Sequence, residues 1–165
     1  MKAAGIVRRI DDLGRIVIPK EVRNNLRLRE GEPVEIFVDN HGEVILKKYS
    51  PIEQLKQFAQ EYIDVLHSTT KNTVVITDRD FVIAIAGNNT EYAVGDPITK
   101  DIEEITTERR ATVVSDTKTK VITPIIAQGD VMGTVMLIKD EGTIDEIEIK
   151  LVDTAARFLA KNIEE

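Results

Sequence analysis

Arg8, Arg9, Arg15, Lys20 and Arg23, with Lys2 before them and Arg27 and Arg29 after, put eight cations into the first thirty residues. Only Asp11, Asp12, Glu21 and Glu30 oppose them there. Guanidinium and ammonium groups donate hydrogen bonds and never accept them, so the chemistry on offer is ion pairing and forked donation to an anion. The 165-residue chain carries a formal charge of -7, so the local excess runs against the molecule's own trend. Residues 1–50 sum to +2 and residues 51–165 to -9, which gives the two parts different electrostatic tasks. A charge run can be no more than a solvated face, but the partner that a basic stretch of this kind fits is a polyanion, double-stranded nucleic acid above all.

Other chemistry is poorly provided for. There is no Cys, the two His (His41 and His67) lie far apart, and no glycine-rich phosphate loop is present. Asp11-Asp12 and Glu103-Glu104 are neighbours in sequence and therefore point to different faces, as a turn and an exposed helix do. The expectation is a protein that is not an enzyme and needs neither cofactor nor metal. An aromatic content of 4% argues against single strands stacked on aromatic platforms. The absence of Cys fits a reducing compartment. With no signal-peptide core and no run of about 18 apolar residues, the expected place is the cytoplasm, in association with the nucleoid, and no membrane. Asn88-Asn89-Thr90 matches a glycosylation acceptor by chance.

The elements that must carry the cations are short. β-Branched residues in 5–10 and 15–18 flank Asp11-Asp12-Leu13-Gly14 and predict a β-turn-β unit. Arg8 and Arg9, adjacent on such a strand, would point to opposite faces. Pro19 suits the first turn of a helix over 19–26, with Val22 and Leu26 inward and Lys20, Arg23 and Arg27 as a second stripe. Val34, Ile36 and Val38 alternate as a strand, and Asp39-Asn40-His41-Gly42 turns it into Val44, Ile45 and Leu46. So little structure makes a poor core by itself. Two interlocked copies would cover the strand edges and set two basic surfaces side by side, so an obligate homodimer is expected.

Residues 51–165 read as a second domain. Ser50, Pro51 and Glu53 form a capping box that leaves almost no linker. The helix behind it keeps Ile52, Leu55, Phe58, Ala59, Tyr62, Ile63 and Leu66 on one face. A hairpin over 73–87 follows, then a helix over 98–109 and strands at 111–115, 121–128 and 131–139, with Pro124 marking an edge or a bulge. Thr143 and Glu146 form a second capping box that opens a helix to about Ile163. There, Ile144, Ile147, Leu151, Ala155 and Phe158 cover the sheet, while Val152, Ala156, Leu159 and Ile163 widen the apolar face enough for a partner helix.

The string GIVRRIDDLGRIVIPKEVR, continued by LREGEPVEIFVD and ILKKY, resembles the DNA-binding domain of the AbrB transition-state regulators, and within them the stage V sporulation protein T group. That resemblance implies an α+β protein whose residues 1–50 form a swapped-hairpin β-barrel dimer, in a bacterial transcription regulator. It places Lys2, Arg8, Arg15 and Arg23 on the basic positions of DNA contact, with Arg9 and Lys20 flanking them. Asn24 stands where relatives commonly carry Arg, which removes one phosphate neutraliser and can change site preference. Pro124-Ile125, Gly129 and Gly133-Thr134-Val135 make residues 51–165 resemble a GAF domain, an antiparallel sheet flanked by helices. GAF domains often bind small molecules. A ligand pocket, if one exists, lies between the sheet and the 98–109 helix, lined by Ile76, Ile83, Ile85, Ile125 and Met136, residues that are more often plain core. Tetramers through the GAF helices are expected. The alternative reading is an antitoxin-like protein-binding module, because the same β-barrel class also neutralises toxins.

Overall fold

Val34–Val38 (β1) and Val44–Lys48 (β2) pair antiparallel, with Ile36 opposite Leu46 and Val38 opposite Val44 on one face, and Phe37 opposite Ile45 on the other. Strands apolar on both faces are strands meant to be covered twice. Within the chain they stay open, with Ile36 68% and Val38 74% exposed. The computed structural model describes residues 5–88 and 91–164, and these divide into two units, Met1–Tyr49 and Ser50–Glu165.

The β-turn-β expectation for 5–18 is corrected. Only its turn forms, and 5–10 and 15–18 are not in strands. Strand geometry is held by a hydrogen-bonded neighbour, and no described residue of this chain lies alongside them as one. Val7, Ile10, Ile16 and Val17 stand out in consequence, Val7 to 87%. The helix after them, Lys20–Asn25 (α1), begins one residue later than expected, with Pro19 at the cap position. Val22 is half-buried, whereas Leu26, expected inward, is exposed.

In the second unit the Ser50 hydroxyl accepts the Glu53 N–H at 3.2 Å and caps Pro51–Gln54 (α2). A break at Leu55 separates it from Lys56–Thr70 (α3), where one continuous helix is expected from the spacing. Thr73–Asp78 (β3), Val82–Ala86 (β4), Thr112–Ser115 (β5), Thr119–Ala127 (β6) and Asp130–Lys139 (β7) form an antiparallel sheet in the order β4-β3-β7-β6-β5. Pro124 lies beyond Ile122, the last β6 residue that β5 pairs with, and just before a register shift at Ile125. A residue without an N–H is tolerated at such an edge.

One face of the sheet packs against α2, α3 and Glu146–Glu164 (α5), around Ile52, Ile63, Ile76, Leu137 and Leu159. The other meets Lys100–Thr107 (α4) around Val75, Ile102, Ile122 and Met136. The α5 stripe is corrected: Val152, Ala155, Ala156, Leu159 and Ala160 are buried, whereas Ile147 and Phe158 are exposed. Phe158 instead stacks on Tyr62 and Phe58 of α3, at centroid separations of 5.1 and 5.3 Å.

The capping box of α5 also sits two residues further on. Asp145 accepts the Glu148 N–H at 2.8 Å, and Glu148 accepts the Asp145 N–H at 3.0 Å. Asp at the cap does what Thr143 was expected to do, and it adds a charge favoured at a helix N-terminus. The Glu148 carboxylate also accepts from Lys139 Nζ at 2.8 Å and from the Asn72 amide at 3.0 Å. Burial pushes its pKa up, but Lys139, the Asp145 N–H and Asn72 outweigh that and hold it below the ordinary 4.5. A carboxylate whose folded pKa is depressed stabilises above its unfolded pKa and loses that contribution as pH falls through the folded one. The second unit should therefore melt at lower temperature as pH drops below 4.5. Glu148→Gln should lose about 1 kcal/mol near neutral pH and show a shallower acid limb, read by melting across a pH series.

Candidate nucleic-acid interface

Asp11 organises the first turn. Its N–H donates to the Arg15 carbonyl at 3.0 Å, and its carbonyl accepts the Gly14 N–H at 3.1 Å. Oδ1 accepts the N–H groups of Leu13 at 2.9 Å and Arg15 at 2.8 Å, while Oδ2 accepts Arg15 Nε at 2.8 Å. Gly14 takes φ 75, a left-handed conformation that a side chain would strain. The Arg15 backbone N–H, then its guanidinium, hold the Asp11 carboxyl below the ordinary carboxylate value. Outside that contact the Arg15 side chain is 70% exposed.

Arg8, Arg9, Lys20, Arg23 and Asn24 are all exposed. The Arg8 guanidinium donates to the Val7 carbonyl at 3.2 Å. Arg8 and Arg9 lie outside any strand, so the opposite-face rule that separates strand neighbours does not apply to them here. Lys2 falls outside the described residues.

Arg27 closes α1. It holds φ 53, and the pairs Leu28 N–H to Arg23 carbonyl at 2.8 Å and Arg27 N–H to Asn24 carbonyl at 3.1 Å complete a Schellman motif, usually built on glycine. An arginine at this position carries its charge next to the helix C-terminus, where the dipole favours a cation. Behind α1, Lys48 Nζ donates to the Arg27 carbonyl at 2.9 Å and pairs with Glu32 at 3.2 Å, while Arg29 pairs with Glu32 at 3.2 Å. Burial raises the Glu32 pKa, but the Arg29 N–H and the Lys48 ammonium more than offset it, so the net direction is down. This acid fastens the helix-to-strand connection to β2. Asp11 and Arg27 are positions that sequence reasoning read only as turn and stripe. The signal for the first was the D-x-x-G-R spacing.

The five pocket positions do not come together. Ile76, Ile83 and Ile125 belong to the α2–α3–α5 side of the sheet, and Met136 and Ile85 to the α4 side. A register shift in β3–β4 pairs Ile76 with Ala84 and Thr77 with Val82, skipping Ile83. The bulge breaks strict alternation, so Ile83 and Ile85 part company. Reasoning from apolar type also missed a polar group near the α4 side. Lys120 Nζ donates to Glu91 at 2.7 Å and to the Tyr92 hydroxyl at 3.1 Å. Tyr92 packs against the α4-side cluster. A lysine at an alternate position of an apolar strand was the available signal.

Compared with known proteins, residues 54–164 match the family described as "Stage V sporulation protein T C-terminal, transcription factor". Residues 7–54 match "Antidote-toxin recognition MazE, bacterial antitoxin". Over the full length of both chains the sequence is 46% identical to stage V sporulation protein T of Bacillus subtilis (strain 168). It is 53% identical over 51 residues to the transition state regulatory protein AbrB of the same organism, a match spanning 31% of this chain and 52% of that protein. The GAF domain region of a Geobacter sulfurreducens PCA protein superposes with a TM-score of 0.58 at 18% identity, over 69% of this chain and 95% of that one. This last likeness establishes an antiparallel, helix-flanked GAF fold for the second unit.

Proposed function

This chain belongs to the stage V sporulation protein T family and is a DNA-binding transcription regulator; we propose that it grips double-stranded DNA through Lys2, Arg8, Arg9, Arg15, Lys20, Arg23 and Asn24, displayed by a homodimer of the first unit. The observation that carries this is a set of exposed cations on the same unit that leaves both faces of β1–β2 open. Interlocking two copies as a swapped-hairpin barrel covers those faces, supplies strand neighbours for 5–10 and 15–18, and doubles the basic surface. Arginine neutralises phosphates and can fork onto base edges, and a two-fold dimer matches two half-sites.

To the second unit we assign oligomerisation and the binding of a small molecule. Phe58, Tyr62 and Phe158 form an aromatic strip shared by α3 and α5, suited to pairing dimers into tetramers, and a tetramer would engage long sites with higher avidity. The α4 side, with Lys120, Glu91 and Tyr92, is the better place to seek a small-molecule site. A thermal-shift screen of nucleotides and metabolites tests it, since a ligand of the folded state raises the melting point.

Fluorescence anisotropy on duplex DNA across a salt series tests the main reading. The logarithm of affinity should fall linearly with the logarithm of salt concentration, and Arg15→Ala should lower the slope by about one unit for each copy in contact. A slope near zero in the wild type, or unchanged binding by a folded Arg15→Ala protein, would sink it. The match of residues 7–54 to an antitoxin family keeps a protein-binding role as the second reading. A co-purified small toxin partner would favour that role over DNA.

A further inference from the structure

The first unit uses one turn twice. In Asp39-Asn40-His41-Gly42-Glu43 the Asp39 N–H donates to the Glu43 carbonyl at 3.1 Å, and its carbonyl accepts the Gly42 N–H at 3.3 Å. Oδ1 accepts the N–H groups of His41 and Glu43, each at 2.9 Å. Gly42 has φ 80. Asp11-Asp12-Leu13-Gly14-Arg15 makes the same four bonds around a glycine of φ 75. The two turns differ at their second and third residues, whose side chains make none of these bonds, and at their last, Glu43 in one and Arg15 in the other.

That difference isolates what the second carboxylate oxygen of Asp11 is for. The Asp39 turn closes with Oδ1 alone, and its terminal Glu43 carries the wrong charge to pair with Asp39. The bond from Arg15 Nε to Asp11 Oδ2 at 2.8 Å is therefore surplus to closing the turn. Its effect falls on the guanidinium, which is held at Nε while the rest of the side chain faces solvent. Among the described residues, Arg15 is the one proposed contact cation with an acidic partner. An arginine restrained at Nε presents its two Nη groups in one orientation, which forked donation to guanine O6 and N7 or to two phosphate oxygens requires.

We propose that Asp11 is a positioning residue for DNA recognition, holding the Arg15 guanidinium by its Nε so that the Nη fork meets the duplex already aimed. This rests on the DNA-binding reading above. Its consequence has an unusual sign. An acid beside a DNA contact repels phosphate, so removing the charge should strengthen binding to any duplex, whereas losing the aim should weaken binding to the preferred one. Asp11 thus lowers overall affinity and raises discrimination.

The test uses the full chain, a duplex enriched by in vitro selection on it, and a shuffled duplex of the same composition. In Asp11→Asn the amide oxygen can still accept the Leu13 and Arg15 N–H groups, so the turn is kept while the ion pair is lost. Affinity for the shuffled duplex should hold or rise, and the ratio of selected to shuffled affinity should fall by about tenfold, the range of one forked contact. Asp39→Asn, the same change in the twin turn, should leave the ratio alone. In an Arg15→Lys background, where no fork exists, Asp11→Asn should not change the ratio either. The Arg15 Nε–H resonance, followed without DNA, should move to the position of free arginine in Asp11→Asn. An unchanged ratio, an equal change on both duplexes, an equal effect of Asp39→Asn, or an unmoved resonance overturns the proposal. Failure of the wild type to bind either duplex in a salt-dependent way would instead defeat the DNA-binding reading beneath it.

Discussion

Gly133→Ala should unfold the second unit far more readily than its one added methyl group suggests, lowering stability by about 3 kcal/mol and the melting temperature by roughly 10 °C. Gly133 lies on β7 opposite Asp78 of β3. A Cβ built there overlaps the Thr77 carbonyl oxygen, a backbone atom with no rotamer to yield. The glycine has no positive φ, so the penalty is one of space and not of conformation. Relief requires parting β3 from β7 at the centre of the sheet. That separation also pulls on the buried hydrogen bond between the Thr77 and Thr134 hydroxyls, 2.8 Å long, and an orphaned buried hydroxyl is costly. Gly142→Ala is the control, because it meets nothing within 4 Å and bears only the strain of φ 90. Thermal melts followed by circular dichroism decide the matter. Equal melting points for the two variants would show that the strands do not depend on the close approach.

Ile36→Asp should abolish DNA binding, weakening it at least a hundredfold, without touching a single cation. Ile36 pairs with Leu46 on one apolar face of β1–β2, while Phe37 and Ile45 occupy the other. In the proposed interlocked dimer a second chain covers this face, and a carboxylate there has no partner to offset its desolvation. Dimers of the first unit should separate, halving the assembled mass in native mass spectrometry and leaving half of the DNA contacts on each piece. The second unit has its own core and should melt unchanged. If the variant keeps its mass and affinity, β1 faces solvent and the swapped-hairpin arrangement is wrong.

Much of this protein is legible from periodicity. The strict alternation of Val34, Ile36 and Val38 and the Asp-x-x-Gly spacing of 39–42 give a hairpin within a residue or two of its observed bounds, because both signals are local. The places where reading fails share a physical cause, namely competition between local and non-local partners. Residues 5–10 and 15–18 carry strand residues, but strands need a neighbour that the described residues of their own chain do not provide. Thr143 and Asp145 are both good caps, and the choice fell to Asp145 because Glu148 could also reach Lys139 and Asn72 from the strand and loop beneath. Ile83 and Ile85 are expected in one pocket lining, and a bulge at Ile83 puts them on opposite sides of the sheet. Arg15 was legible as a cation. Its leash to Asp11 is a side-chain contact that the D-x-x-G-R spacing allows without dictating, and the twin turn at Asp39 closes without one.

The doubly open β1–β2 hairpin has a consequence for the cell. If its interior is completed by a second chain, the fold of the DNA-binding unit is a mass-action quantity, with a stability that rises with protein concentration, while the GAF unit, which has a core of its own, stays folded when diluted. At low copy number such a regulator would hold a folded GAF unit and an unfinished DNA-binding one. Copy number would then act as a gate on DNA binding before any ligand does.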